Sequence, residues 1–289
     1  MKNGNNKKSL LMLASSMFIF GTIGIFRRYI SLSSSMLAFV RGVVGTAFIL
    51  VFCLISGRGR EKTGKKTVLL LALTGALIGL NWMFLFEAYN YTSVAAATLS
   101  YYMQPTIVIL LSPLVFKEKL TWKKALCALA AIVGMVLVSG VLEGGNASPD
   151  NLKGILYGLA AAALYSAIVI MNKKLPGVDA YKKTMIQLAF AAVIMIPYLL
   201  VTGDFSLSVS GGGELLMVLF VGLVHTGVAY VLYFGSMDGL RAQTVALGSY
   251  IDPVTALILS AIILKEPLGL TGVIGAVLIL GAAFISERV

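Results

Sequence analysis

Four ionisable side chains fall inside long apolar stretches of this chain: Arg41, Glu87, His225 and Asp252. Taking a charge into hydrocarbon is costly enough that each is a functional candidate by default. Asp252 carries the most chemistry. Ser249 and Thr255 lie three residues either side of it, which makes a polar stripe on one helix face. Tyr250 belongs to the same turn, and Pro253 follows at once. A proline inside a helix removes one N–H donor and frees a carbonyl in the preceding turn. Freed carbonyls beside a carboxylate are the means by which discontinuous transporter helices hold cations or substrates. Asp252 is therefore expected to line a cavity and to couple proton or cation occupancy to solute binding.

The other three have plainer alternatives. Arg41 and Glu87 stand at similar depth on neighbouring stretches, so they form either a structural ion pair or separate contacts to a solute. His225, the sole histidine, is either a site residue or a neutral ring satisfied by a backbone carbonyl. Asn81 and Trp82 lie deep in their stretch and are cavity candidates. Phe84, Phe86, Tyr89 and Tyr91 crowd the same stretch, and Tyr230 and Tyr233 face them from a later one. Tyr89, Tyr91 and Tyr233 read as interface anchors. An aromatic wall near a carboxylate suits an organic cation, whereas Arg41 suits a carboxylate, as an amino acid would supply.

The turn that holds Asp252 is written twice. Tyr102, Met103, Gln104 and Pro105 lead through an apolar stretch to Lys117, Glu118, Lys119 and Leu120. Tyr250, Ile251, Asp252 and Pro253 lead to Lys265, Glu266, Pro267 and Leu268. Tyr, Pro, Lys, Glu and Leu recur at one offset, which marks a duplicated unit. The first copy is neutral, so Tyr101, Tyr102 and Gln104 are expected to form a polar aromatic wall facing the acidic one.

These residues need elements to hold them, and those elements are membrane helices. Hydrophobic residues make up 58% of the chain and charged residues 12%, with a mean hydropathy of +0.93. Soluble chains carry roughly 25% charged residues. Ten apolar runs are each about long enough to cross a bilayer: Leu10–Phe26, Ser35–Ile55, Val68–Ala88, Ala95–Phe116, Trp122–Ser139, Leu152–Met171, Thr184–Thr202, Leu215–Gly235, Ala242–Leu264 and Leu268–Ile285. None alternates as a barrel strand would. The expected fold is all-α, ten transmembrane helices arranged as two inverted five-helix repeats. Residues 1–142 form the first repeat, 143–151 the linker and 152–289 the second. An odd number of spans per repeat requires the second copy to enter from the opposite face.

The net charge of +11 is a topology signal and implies no nucleic acid. With both termini cytosolic, the outer side holds only Arg27, Arg28, Lys153 and Lys265, and the other loop cations lie inside. The expectation is a multi-pass protein of a bacterial-type plasma membrane. Cys53 and Cys127 are embedded packing residues. Gly75 with Gly79, and Gly154 with Gly158, Ala162 and Ser166, read as helix-packing seams.

The paired Pro…Lys-Glu-x-Leu segments and the five-plus-five duplication resemble the EamA-type members of the drug/metabolite transporter superfamily. The resemblance covers essentially the whole chain. It implies a small solute carried by alternating access through a cavity between the halves; coupling to protons or sodium and a monomer as the functional unit are further expectations. The small multidrug relatives use an essential Glu in their first helix; the first run here has no acid, so their mechanism does not carry over.

The leading function is a secondary transporter for a small polar, zwitterionic or cationic metabolite of amino-acid size. A carrier of a phosphorylated metabolite or nucleotide sugar would need more cavity cations than Arg41. An intramembrane enzyme would need clustered chemistry that one histidine and scattered acids do not supply. No nucleotide-binding loop is present, and no cofactor or metal is expected.

Overall fold

The computed structural model describes residues 2–59, 61–116, 120–139, 149–173, 178–237, 240, 244–245, 248–266, 268–286 and 288. Lys117, Glu118, Lys119, Lys174, Arg241, Pro267 and residues 143–148 of the expected linker lie outside them. Every regular element among the described residues is helical. They are α1 (Lys2–Arg28), α2 (Ser34–Ser56), α3 (Lys65–Tyr91), α4 (Val94–Tyr101), α5 (Gln104–Phe116), α6 (Trp122–Val138), α7 (Pro149–Lys173), α8 (Ala180–Thr202), α9 (Gly212–Met237), α10 (Ile251–Ile263) and α11 (Leu270–Ser286).

Seven spans are long and apolar enough to cross a membrane, counting α4 and α5 as one, while α10 and α11 are shorter apolar helices. The outward faces carry Leu54, Leu114, Val201, Leu216 and Leu270, all largely exposed. Such a surface would aggregate in water and is solvated by lipid tails. Local signals set the helix ends. Ser33, Ser93, Thr121 and Asp179 each cap a helix by accepting a backbone N–H. Gly57 and Gly203, left-handed at φ 71 and 67, end α2 and α8.

Two corrections to the expected spans bear on function. The run Ala95–Phe116 is not one helix: it breaks at Tyr102–Met103 between α4 and α5. The run Ala242–Leu264 also breaks, at Ser249–Tyr250, and α10 begins only at Ile251. A third irregularity left no mark in hydropathy: α9 widens into a π-helix over Val221–Val228.

The helices pack in a regular scheme. α6 lies on α11, α2 on α8, and α4 crosses α10. α3 packs on α7 and α8; α9 packs on α1 and α2. α4 and α5 cover α7, as α10 covers α1. The seams use small residues, since lipid tails supply no hydrophobic drive to bring helices together. At the α6–α11 crossing a Cβ on Gly134 would lie 2.7 Å from the Gly275 carbonyl, and one on Gly275 2.5 Å from the Gly134 carbonyl. The expected seams are present: Gly75 and Gly79 abut α8, while Gly154 and Gly158 abut Thr92 and Ser100. Cys53 and Cys127 are free and buried in packing positions.

Candidate functional site

The two proline-linked breaks meet. Tyr102 has φ −74, ψ 4 and Tyr250 has φ −69, ψ −11, nearly the same conformation at the duplicated position. Pro253 has no N–H, so the Ser249 carbonyl four residues earlier loses its helical donor. Tyr102, from the other break, reaches over to this spot. Its hydroxyl donates to Asp252 Oδ2 at 2.9 Å, with the Ser249 carbonyl oxygen 3.4 Å from the same phenol. The Asp252 backbone N–H also donates to the Ser249 carbonyl, at 3.2 Å.

α1 closes over this crossing at Gly21. A Cβ there would sit 2.5 Å from the Asp252 carbonyl oxygen and 2.6 Å from Thr255 Cβ. Tyr101 packs against Tyr165 and Tyr102, with ring centroids at 5.7 and 6.1 Å. The Tyr250 ring lies edge-on to Phe284. The Gln104 carbonyl accepts from Ser166 Oγ at 3.1 Å, tying α5 to α7.

Arg41 on α2 is 4% exposed. Its Nε donates to Thr226 Oγ1 at 2.7 Å. Its guanidinium carbon lies 4.1 Å from the centroid of the Trp82 ring and 5.5 Å from that of Phe86. No acceptor among the described residues meets its two terminal nitrogens, and neither nitrogen is sealed in protein. Tyr89 and Tyr101 lie within electrostatic reach of both Arg41 and Asp252. They bridge a basic pole and an acidic pole inside the helix bundle.

The Arg41–Thr226 contact lies within the π-helical stretch of α9. Adjacent side chains there point at different neighbours: Thr226 towards α2, and His225 towards α1. Such turns are frequent at functional sites. The Nε2 of His225 lies 2.8 Å from Thr22 Oγ1. The Thr22 hydroxyl also lies 2.7 Å from the Ile19 carbonyl, and which partner donates to which is set by the tautomer of the ring. His225 is thus held by the Thr22 hydroxyl, with the Phe220 backbone beside the ring. Phe26 and Phe220 flank its ring at 5.0 and 5.6 Å.

The Arg41–Glu87 ion pair, one of the two expectations for these residues, is not formed. Glu87 follows Phe86, and successive residues turn about 100° around a helix. Phe86 faces Arg41, so Glu87 faces elsewhere, accepting from Ser34 Oγ at 2.7 Å and Asn90 Nδ2 at 3.2 Å. The buried Arg27 donates to the same Ser34 hydroxyl at 3.3 Å and to the Ile30 carbonyl at 2.6 Å. Asn81 sits in the α3–α7 seam, where its Nδ2 donates to the Ala161 carbonyl at 2.6 Å.

Among the described residues the ion pair is Arg28–Glu266, at 2.7 Å. The other Glu266 oxygen accepts from the Val94 N–H and from Ser260 Oγ, each at 3.0 Å. Arg28 also donates to the Thr92 carbonyl at 2.8 Å. One carboxylate therefore clips the ends of α1, α4 and α10. Glu266 belongs to the repeated Lys-Glu segment, which was the signal that could have marked it. Thr22 and Thr226 carry no comparable signal, because a lone Thr in an apolar run is ordinary.

Comparison with known proteins matches this arrangement to one family. The model of the EamA-like transporter family matches residues 7–140 and again residues 152–287. The uncharacterized transporter YxxF of Bacillus subtilis (strain 168) is 31% identical, over 88% of this chain and 81% of its own. Protein RarD of Salmonella typhi is 25% identical, over 88% of this chain and 85% of its own. A solved crystal structure shares the fold over 98% of each chain, with a TM-score of 0.65 at 21% identity.

Proposed function

Because this chain belongs to the EamA-like transporter family, and is a multi-pass membrane transporter rather than an enzyme, we propose that it moves a small polar or zwitterionic solute of amino-acid size by alternating access. The observation that carries this reading is a buried basic pole and a part-buried acidic one. Arg41 presents unpaired donors at one, and Asp252 presents an acceptor at the other, where the two helix breaks cross. A zwitterion carries a carboxylate suited to the first and an ammonium suited to the second, in exchange for the Tyr102 bond.

The architecture under this reading is ten spans in two inverted repeats, residues 1–142 and 152–289, joined by a linker at 143–151. The double family match supports it. So does the packing scheme. Exchanging each half's helices for the corresponding ones of the other turns α3–α7 into α9–α1, and α3–α8 into α9–α2, both of which occur. The pairs α2–α8 and α6–α11 map onto themselves, and α5–α7 becomes α10–α1, which also occurs. The crossing of the breaks then lies on the pseudo-two-fold axis, where both rocking arrangements of the halves keep access to it.

Asp252 is the coupling group in this scheme. Tyr102 holds its carboxylate while the breaks are in contact, and separating the halves exchanges that bond for a proton, a sodium ion or the solute amine. The protein works as a monomer in the plasma membrane with both termini cytosolic, as the charge asymmetry of the loops supports. The test is counterflow in proteoliposomes with labelled amino acids and organic cations. Saturable exchange of one or more amino acids, with a pH dependence that Asp252→Asn removes, is the expected result. Failure of every amino acid to exchange would sink the reading.

A further inference from the structure

We infer that the solute is anchored by a carboxylate group on the two terminal nitrogens of Arg41, with its adjoining apolar part against Trp82 and Phe86. This deepens the proposed transport function, on which it rests, because it excludes purely cationic solutes that the acidic pole alone would admit.

The argument begins with what Arg41 lacks. A guanidinium has five N–H donors in a rigid fork, and here only Nε is used, on Thr226. Thr226 accepts that bond and directs its own proton towards the Val221 carbonyl at 3.4 Å, so the hydroxyl is fully engaged. The bond fixes the guanidinium plane while leaving Nη1 and Nη2 without a protein acceptor. Trp82 and Phe86 lie against the cation. Cation–π contact stabilises a desolvated cation, but ring faces offer no lone pairs to the four remaining N–H groups.

The nearest acid in sequence depth, Glu87, is bound to Ser34 and Asn90. Asp252 is held by Tyr102. Among the described residues no carboxylate contacts Arg41, although the residue is only 4% exposed. A planar, charged, two-pronged donor without a protein acceptor matches a carboxylate in bidentate geometry. The aromatic floor adds shape, since it admits a flat or aliphatic group next to the carboxylate.

The chain contains a built-in reporter. It has two tryptophans, and Trp122 lies 70% exposed at the start of α6, so Trp122→Phe leaves Trp82 as the sole emitter, in contact with Arg41. The probe is sodium acetate, small enough to enter whatever the full solute is. Acetamide serves as the uncharged isostere, and a bulky sulfonate salt holds the ionic strength constant. The expected result is a saturable change in Trp82 emission with acetate and none with acetamide. Arg41→Gln abolishes it. Arg41→Lys retains it at roughly tenfold higher acetate, having lost the two-pronged geometry. Far-UV circular dichroism checks that each variant is folded, and the lysine variant keeps the test informative if the glutamine variant is not.

Absence of a saturable acetate response in the parent protein, an equal response to acetamide, or a response that survives in Arg41→Gln would overturn the inference. Counterflow separates this from failure of the transport reading. Amino-acid exchange at the parental rate in Arg41→Gln rejects the anchor alone. An intact acetate response without exchange of any amino acid rejects the transport reading alone.

Discussion

The Tyr102 hydroxyl donates to Asp252 Oδ2 at 2.9 Å across the two helix breaks, Tyr102 lying three residues before Pro105 and Asp252 immediately before Pro253 in the two copies of the repeated segment. A phenol and a carboxylate thus join the points at which the two helices are weakest. Tyr102→Phe keeps the ring and removes only this bond. Under the proposed coupling it alters the pH profile of transport while leaving expression near normal, and Asp252→Asn flattens the profile. A pH profile unchanged in both variants would reject Asp252 as the coupling group.

Arg41 and Glu87 act independently. Their partners are disjoint, Thr226 with Trp82 for the one and Ser34 with Asn90 for the other. In a double-mutant cycle of Arg41→Gln and Glu87→Gln, the effects on thermal stability add to within about 0.5 kcal/mol. Rescue of one change by the other would show an ion pair that the structure lacks.

Glu266 is the opposite case. It accepts from Arg28, Val94 and Ser260 at once, so Glu266→Ala lowers the melting temperature more than Arg28→Ala, which leaves two of those bonds in place. The Arg28–Glu266 coupling itself is about 1 kcal/mol or less, because both side chains are part-exposed, at 30% and 25%. Equal losses in the two single variants would show that the Val94 and Ser260 contacts contribute nothing.

The α6–α11 seam is steric. Gly275→Ala places a Cβ 2.5 Å from the Gly134 carbonyl, which forces the helices apart at a cost of roughly 1–3 kcal/mol. Gly281→Ala, on the same helix but with nothing within 4 Å of its Cβ, is the control and stays within about 0.5 kcal/mol of the parent. Similar melting temperatures for the two variants would exclude close packing at Gly275.

Much was legible without coordinates, and the reasons are one-dimensional. Hydropathy marks apolar helices because the backbone must satisfy itself in lipid. Proline marks the breaks because its missing N–H acts on its own chain. Asp252 stands out because a carboxylate in an apolar run is expensive wherever the run folds.

The partnerships were not legible. A helix that is apolar all round has no hydropathic stripe to set its rotation, so equal depth could not tell whether Arg41 meets Glu87 or Trp82. One step of about 100° around α3 decided it. Thr226 meets Arg41 because α9 packs on α2, and Thr22 holds His225 because α1 lies against the same π-helical stretch. Glu266 stood in plain view inside the repeated segment, but two of its three donors, Arg28 and Val94, come from helix ends far from it in sequence. The chain alone determined where apolar helices form, and marked with Pro105 and Pro253 where two of them weaken; that Arg27 is buried was decided by the fold. Helix rotation and crossing, properties of the packed bundle, decided which charge each break would meet.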